Sequence, residues 1–258
     1  MTTGLLLPVF IGGLMVGLLS TVFGIGGGIL MVPLLTAITP LTQVEAMATS
    51  LTTVVIVTSW NTFRYQRQKL VVWPTVFGII TASTICSALA AWIATYLPGR
   101  LLVGFMLLFL IFLAWKTFRV EELKPGAKTA GPLAALGIGS LSGLIAGLVG
   151  IGGGSLTTPL MLVFGLVKNR TAAPTANAIM IFTAGAGALT YALRGPWHWP
   201  QLGLIQADFS LLLATGAITS SFLGVYINSR IKLTYRRTIL GLILLTIAAR
   251  LTWQLLGG

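Results

Sequence analysis

Acidic residues are nearly missing from this chain: four Asp and Glu stand against sixteen Lys and Arg in 258 residues. Histidine and cysteine occur once each, as His198 and Cys86. A metal centre needs clustered His, Cys, Asp or Glu ligands, and none is supplied. Cys86 lies inside an apolar segment, where it permits no internal disulfide and reads as a small core residue. His198 stands between Trp197 and Trp199 in a short loop, the setting of an interfacial histidine and not of a catalytic base. An intramembrane protease or serine hydrolase lacks its machinery, so the expectation is a non-enzyme with neither metal nor cofactor. Charge of both signs is scarce as well. Only 8% of residues are charged, against about 25% in a soluble domain, too few to cover a water-facing surface.

Apolar sequence fills the chain instead, 56% of residues, in runs that approach or exceed the ~20-residue length of a membrane helix. They cover about residues 4–37, 44–63, 70–97, 101–118, 131–167, 171–193, 200–229 and 238–256. The expected fold is an all-α polytopic membrane protein. The net charge of +12 does not point to nucleic acid, because Lys and Arg fall in short clusters between apolar runs and not in one stripe. Met1-Thr2-Thr3 carries no basic region, so neither a cleaved signal peptide nor an appended soluble domain is expected.

Two of the runs are broken by one repeated sequence, Gly24-Ile25-Gly26-Gly27-Gly28 and Gly150-Ile151-Gly152-Gly153-Gly154. Each glycine costs a helix roughly 1 kcal/mol relative to alanine, so four in five positions mark unwound or tightly turned backbone. Pro33-Leu34 and Pro159-Leu160 follow the two copies. The same offset of 126 residues matches Gly17 with Gly143, Thr49 with Thr175, and Trp73-Pro74 with Trp199-Pro200. The chain is an internal repeat, residues 1–125 and 126–258. Beyond these pairs the register drifts, which predicts an insertion at the third helix of the second half.

Loop charge decides how each half crosses the bilayer, since Lys and Arg collect on the cytoplasmic side. If all eight runs span once, the better side holds 9 of the 16 basic residues, almost no bias. If each glycine-broken run enters and leaves on one face, 13 gather on one side and only Arg100, Arg194 and Arg250 remain opposite. Each half is then a re-entrant hairpin plus three spans, an odd number, and the halves are inverted repeats. The arm after each glycine motif, about 11 to 13 residues, reaches roughly halfway across a ~30 Å core at ~1.5 Å per residue. The two tips would meet near the midplane, an arrangement shared with many secondary transporters.

A glycine turn at that depth exposes backbone N–H groups, and the arm that follows starts with its positive end there. Two such ends form a site for a small anion without a buried Lys or Arg. Gly24, Gly26, Gly27, Gly28, Gly150, Gly152, Gly153 and Gly154 are therefore candidate binding residues; the alternative is that they only let helices pack closely. Thr49, Ser50, Thr175 and Asn177, at the polar starts of the next helices, are candidate hydrogen-bond donors to the anion, or else bond their own helix backbone. Asp208, about eight residues into the seventh run and so roughly 12 Å deep if helical, is the proton-coupling candidate; it could also face a vestibule or pair with Arg194. Glu45, at a helix start, reads as a favourable charge at a positive helix end. A dinucleotide site is excluded, because Ile29 and Ser155 stand where its third glycine is required.

The Gly-x-Gly-Gly-Gly turn, the Val32-Pro33-Leu34 or Thr158-Pro159-Leu160 that follows it, and Ala46-x-x-Thr49-Ser50-Leu51 together resemble the sulfite exporter TauE/SafE family over essentially the whole chain. The second half departs from that pattern, with Pro174 for the usual glycine and Ala176-Asn177 for Ser-Leu. The resemblance implies an inner-membrane permease for small anions, often sulfur-containing ones such as sulfite or organosulfonates. The expected function is a secondary transporter working by alternating access, the anion held at the two hairpin tips. An anion channel, or a transporter of another small anion or of a cation, is the alternative. The expected partners are the anion, the lipid bilayer and a second copy of the chain, with no nucleic acid.

Overall fold

A computed structural model describes residues 3–23, 28–119, 131–228 and 233–257. Among them are ten helices: α1 Thr3–Phe23, α2 Gly28–Ile38, α3 Gln43–Arg67, α4 Trp73–Ala94, α5 Gly99–Arg119, α6 Pro132–Val149, α7 Gly154–Val163, α8 Asn169–Ala192, α9 Ala207–Asn228 and α10 Leu233–Gly257. Six of them (α1, α4, α5, α6, α8 and α10) are long and apolar enough to cross a membrane. The chain is an all-α, multi-pass membrane protein. Trp60, Trp92, Trp115, Trp197, Trp199 and Trp253 are all exposed on the protein surface.

The arms after the glycine motifs are short, as expected: α2 has 11 residues and α7 has 10. The leading arms are not. α1 and α6 have 21 and 18 residues, about 32 and 27 Å at ~1.5 Å per residue, so each broken run joins a helix of crossing length to one of half that length.

Both leading arms pack along a partner helix from the other half, α1 on α9 and α6 on α4. Small residues make this approach possible. A Cβ on Gly13 would lie 2.7 Å from the Leu213 carbonyl oxygen, and one on Gly17 would strike Ala217. The counterparts 126 residues on repeat the arrangement: Gly139 meets the Ile79 carbonyl, and Gly143 meets Ser83 and Cys86. Small residues four apart let helix backbones touch where lipid offers no hydrophobic drive. Other contacts follow the same exchange of halves: α3 meets α9 while α8 meets α4, and α5 pairs with α10.

α3 and α8 pack against each other. α3 is not among the six apolar helices because it buries Thr49, Ser50, Thr53, Thr58 and Thr62. Two of these hydroxyls bond their own helix, while Thr49 and Ser50 bond other elements. Thr53 Oγ1 donates to the Thr49 carbonyl at 2.9 Å and Thr58 Oγ1 to the Val54 carbonyl at 2.7 Å, the i−4 bonds that make Thr tolerable in a membrane helix. α3 opens on a capping box, in which Thr42 Oγ1 accepts from the Glu45 N–H while the Glu45 carboxylate accepts from the Thr42 N–H. Glu45 is spent on its own helix end.

The seventh apolar run differs from expectation. Residues 200–206 are not helical. Trp197–His198, Gln201–Leu202 and Ile205–Gln206 form a three-stranded antiparallel sheet, β1 to β3, and α9 begins at Ala207. Pro196 and Pro200 cannot donate to a helix, and Gly203 turns at φ +62° with the Ala192 carbonyl against its Cα. The sheet is the predicted insertion: α9 starts 134 residues after α4 (207 against 73), not 126.

Gly143→Leu should prevent α6 from seating on α4 and lower stability by about 1–3 kcal/mol or more, the cost of overpacking. Gly137→Ala, whose Cβ would have nothing within 4 Å, should leave stability unchanged or raise it by up to ~1 kcal/mol. Thermal unfolding of the two variants in detergent checks both.

Candidate functional site

Gly24, Gly26 and Gly27 lie outside the described residues. The other candidate glycines come together. Gly28 opens α2, and its Cα abuts the Ile151 carbonyl of the second motif so closely that a Cβ could not fit. The two glycine motifs are therefore in contact. In the second copy Gly150, Gly152 and Gly153 have φ of +77°, +76° and +81°, left-handed backbone that only glycine adopts without strain. Gly150 ends α6 and Gly153 caps α7.

The turn is packed on every side. A Cβ on Gly150 would lie 2.7 Å from Met47 Cα, one on Gly152 2.7 Å from Val54 Cγ1, and one on Gly153 2.7 Å from the Ser142 carbonyl oxygen. Gly154 rests against Met180 Sδ. Ser50 Oγ donates to the Gly150 carbonyl at 2.8 Å, satisfying a group that hydrocarbon could not. Ser50 thus holds the turn in place. In the first turn of α7 the Ser155 hydroxyl is buried without any hydrogen-bond partner, at the positive end of that helix. A buried unpartnered hydroxyl costs about 1–3 kcal/mol, and a bound anion is the kind of group that would satisfy it.

Thr49 and Thr175 take matching roles in opposite halves. Thr49 Oγ1 accepts the backbone N–H of Gln206, just before α9, at 3.1 Å; Thr175 Oγ1 accepts that of Val72, just before α4, at 3.1 Å. Each threonine satisfies an N–H at the start of the third helix of the other half. Ser210 Oγ adds a bond to the Thr49 carbonyl at 3.2 Å. Both threonine oxygens accept from protein, and neither is grouped with the glycine turn in the bonds it makes.

Asn177 belongs to a different feature, a polar cavity of about 340 Å³ between α3 and α8. Its Nδ2 donates to the Ala173 carbonyl at 2.8 Å, and its Oδ1 accepts from Asn61 Nδ2 at 3.4 Å across the cavity. The cavity is also lined by Met31, Val54, Thr58, Arg64, Tyr65, Gln68 and Met180. Val54 and Met180 are the side chains that cover Gly152 and Gly154, so the cavity ends on the glycine turn. Of these residues only Asn177 was a candidate from sequence. Asn61, Arg64 and Gln68 carried a usable signal, because Val54, Thr58, Asn61, Tyr65 and Gln68 recur at four, three, four and three residues, one face of a helix.

Asp208 is the second residue of α9, where its Oδ1 accepts the Phe209 N–H at 2.8 Å. It is not eight residues down a helix, because the sheet precedes it. Arg194 does not need Asp208: its guanidinium donates to the Tyr96 hydroxyl at 2.9 Å and lies over the Trp92 and Tyr96 rings. Among the described residues no group of three or more His, Cys, Asp or Glu could hold a metal ion.

A family model described as "Sulfite exporter TauE/SafE" matches residues 9–251. Two curated relatives are each 28% identical: a probable membrane transporter protein of Methanocaldococcus jannaschii, over 93% of both chains, and one of Haemophilus influenzae, over 92% of both. A sulfite exporter TauE/SafE family protein of Arabidopsis thaliana is 31% identical over 38% of this chain and 20% of its own length. No solved structure matches.

Thr49→Val and Thr175→Val should each destabilise the protein by about 1–3 kcal/mol, because each leaves a helix-start N–H unpartnered. Two melting temperatures that both stay at the wild-type value would contradict the roles assigned to these threonines.

Proposed function

This chain belongs to the sulfite exporter TauE/SafE family of membrane transporters, and on that premise we propose that it moves a small, sulfur-containing anion, sulfite or an organosulfonate, across the plasma membrane by alternating access. One observation carries the reading. The two glycine motifs touch, and the polar cavity between α3 and α8 ends on the side chains that cover the second motif. An anion entering the cavity would reach the positive end of α7 and the unpartnered Ser155 hydroxyl once Met180 moves aside. Methionine, unbranched and flexible, yields readily.

Residues 1–125 and 126–258 act in this scheme as two inverted repeats. The loop charges support inversion, as does the exchange of halves in the pairs α1 with α9 and α6 with α4. Rocking one repeat against the other would open the cavity to alternate faces of the membrane. Export needs no coupling ion, because an inside-negative potential supplies ~2.3 kcal/mol per charge per 100 mV. Asp208, at the start of α9, is then a proton carrier only if transport itself proves proton-linked. The anion and the bilayer are the working partners, a homodimer is compatible with the scheme, and no chemical step is assigned to the chain.

The purified chain in liposomes should carry sulfite with saturating kinetics. Ser155→Ala should leave the melting temperature unchanged or raise it, since it removes an unsatisfied buried hydroxyl and loses no hydrogen bond. It should raise the half-saturating sulfite concentration by about tenfold, the worth of one hydrogen bond to a charged group. Flux that rises linearly without saturation would assign a channel instead. Stabilisation by cations and by no anion would overturn the proposal.

A further inference from the structure

Besides the helix end at the glycine turn, a formal positive charge lies in the α3–α8 cavity. α3 ends on three basic positions, Arg64, Arg67 and Lys69 just beyond it, and only one turns inward. Arg67 and Lys69 are exposed, whereas Arg64 is half-buried and lines the α3–α8 cavity. Among the described lining residues Arg64 is the one charged side chain, and no carboxylate lines the cavity to neutralise it. One face of its guanidinium is fixed, with the central carbon 4.8 Å from the Phe222 ring centroid. A guanidinium so held keeps a fork of N–H donors for an oxyanion.

The cavity continues from Arg64 past the Asn61 and Asn177 amides to Met180. Charge stands at one end, neutral amides in the middle, and an apolar cover over the glycine turn at the other. We propose that this cavity is an entry site for a single small oxyanion, with Arg64 as its charge partner and the Asn61–Asn177 pair as its polar wall, distinct from the turn behind Met180. The ligand class is an inorganic or organic sulfur oxyanion small enough for about 340 Å³. A low-dielectric wall around one cation raises the local concentration of anions and excludes cations. This inference deepens the transport reading and rests on it for the direction of the anion's onward path.

Thiol labelling tests it without relying on transport. Val57 lines the cavity as an apolar side chain, so Val57→Cys in a Cys86→Ser background reports on access. Its rate should be about tenfold higher with an anionic methanethiosulfonate reagent than with a cationic one of equal size. Arg64→Gln should abolish that preference, Arg64→Lys should keep most of it, and millimolar methanesulfonate, which does not react with the reagent, should slow labelling only where the positive charge remains. Equal rates for the two reagents in both the arginine and glutamine forms would overturn the entry site, even in a chain that transports sulfite. The charge preference, with its loss in Arg64→Gln, would support the site even if liposome flux failed, so the two readings can fall separately.

Discussion

Hydrocarbon cannot satisfy a backbone carbonyl, and each unsatisfied one costs several kcal/mol. The glycine turn at residues 150–154 exists only because protein groups supply what lipid withholds. Ser50 gives a hydrogen bond to the Gly150 carbonyl, and Met47, Val54, Ser142 and Met180 enclose the turn. Remove that enclosure and the chain has no means of interrupting a helix at membrane depth. The irregular backbone is what makes a binding site available, because it brings α7 to begin inside the protein with its positive end buried.

The enclosure depends in turn on how the halves interlock. Each half lends its leading helix to the third helix of the other, through Gly13 and Gly17 on one side and Gly139 and Gly143 on the other. Thr49 and Thr175 complete the interlock by accepting the N–H groups before α9 and α4. Neither half has a separate core; the main buried cluster draws residues from both. The two copies nevertheless differ at the site. Ser50 has Ala176 as its counterpart, and Ala176 cannot donate a hydrogen bond, so the lock on the second turn has no side-chain equivalent from α8. Across the offset of 126 the glycine motif itself is identical at all five positions, and the difference lies in the side chain that locks it, Ser50 against Ala176.

Much of this was legible in the sequence because its signals were local or periodic. The doubled glycine motif located the turn at residues 150–154, the run lengths gave short α2 and α7, and drift in the repeat register anticipated the inserted sheet. The helical depth expected for Asp208 fails for a definite reason. Residues 200–229 read as one predominantly apolar run, and hydropathy alone does not distinguish short strands from the start of a helix. The α3–α8 cavity was missed because the polar residues of α3 were read only at Thr49 and Ser50, while Asn61 and Arg64 lie about three and four turns further along the helix and Gln68 caps it. Arg64 was counted as a topology signal with Arg67 and Lys69. Helical spacing from Asn61 and Gln68 sets Arg64 apart from the other two, and so does its burial.

The account stands on an anion residing between the α3–α8 cavity and the glycine turn. Selenite has the shape and charge of sulfite and scatters X-rays anomalously. Diffraction from the full chain crystallised with selenite should give an anomalous peak within reach of Ser155 Oγ or of Arg64 and the Asn61–Asn177 pair. Peaks confined to surface lysines and arginines in a well-folded protein, with the cavity and the turn empty at saturating selenite, would contradict it.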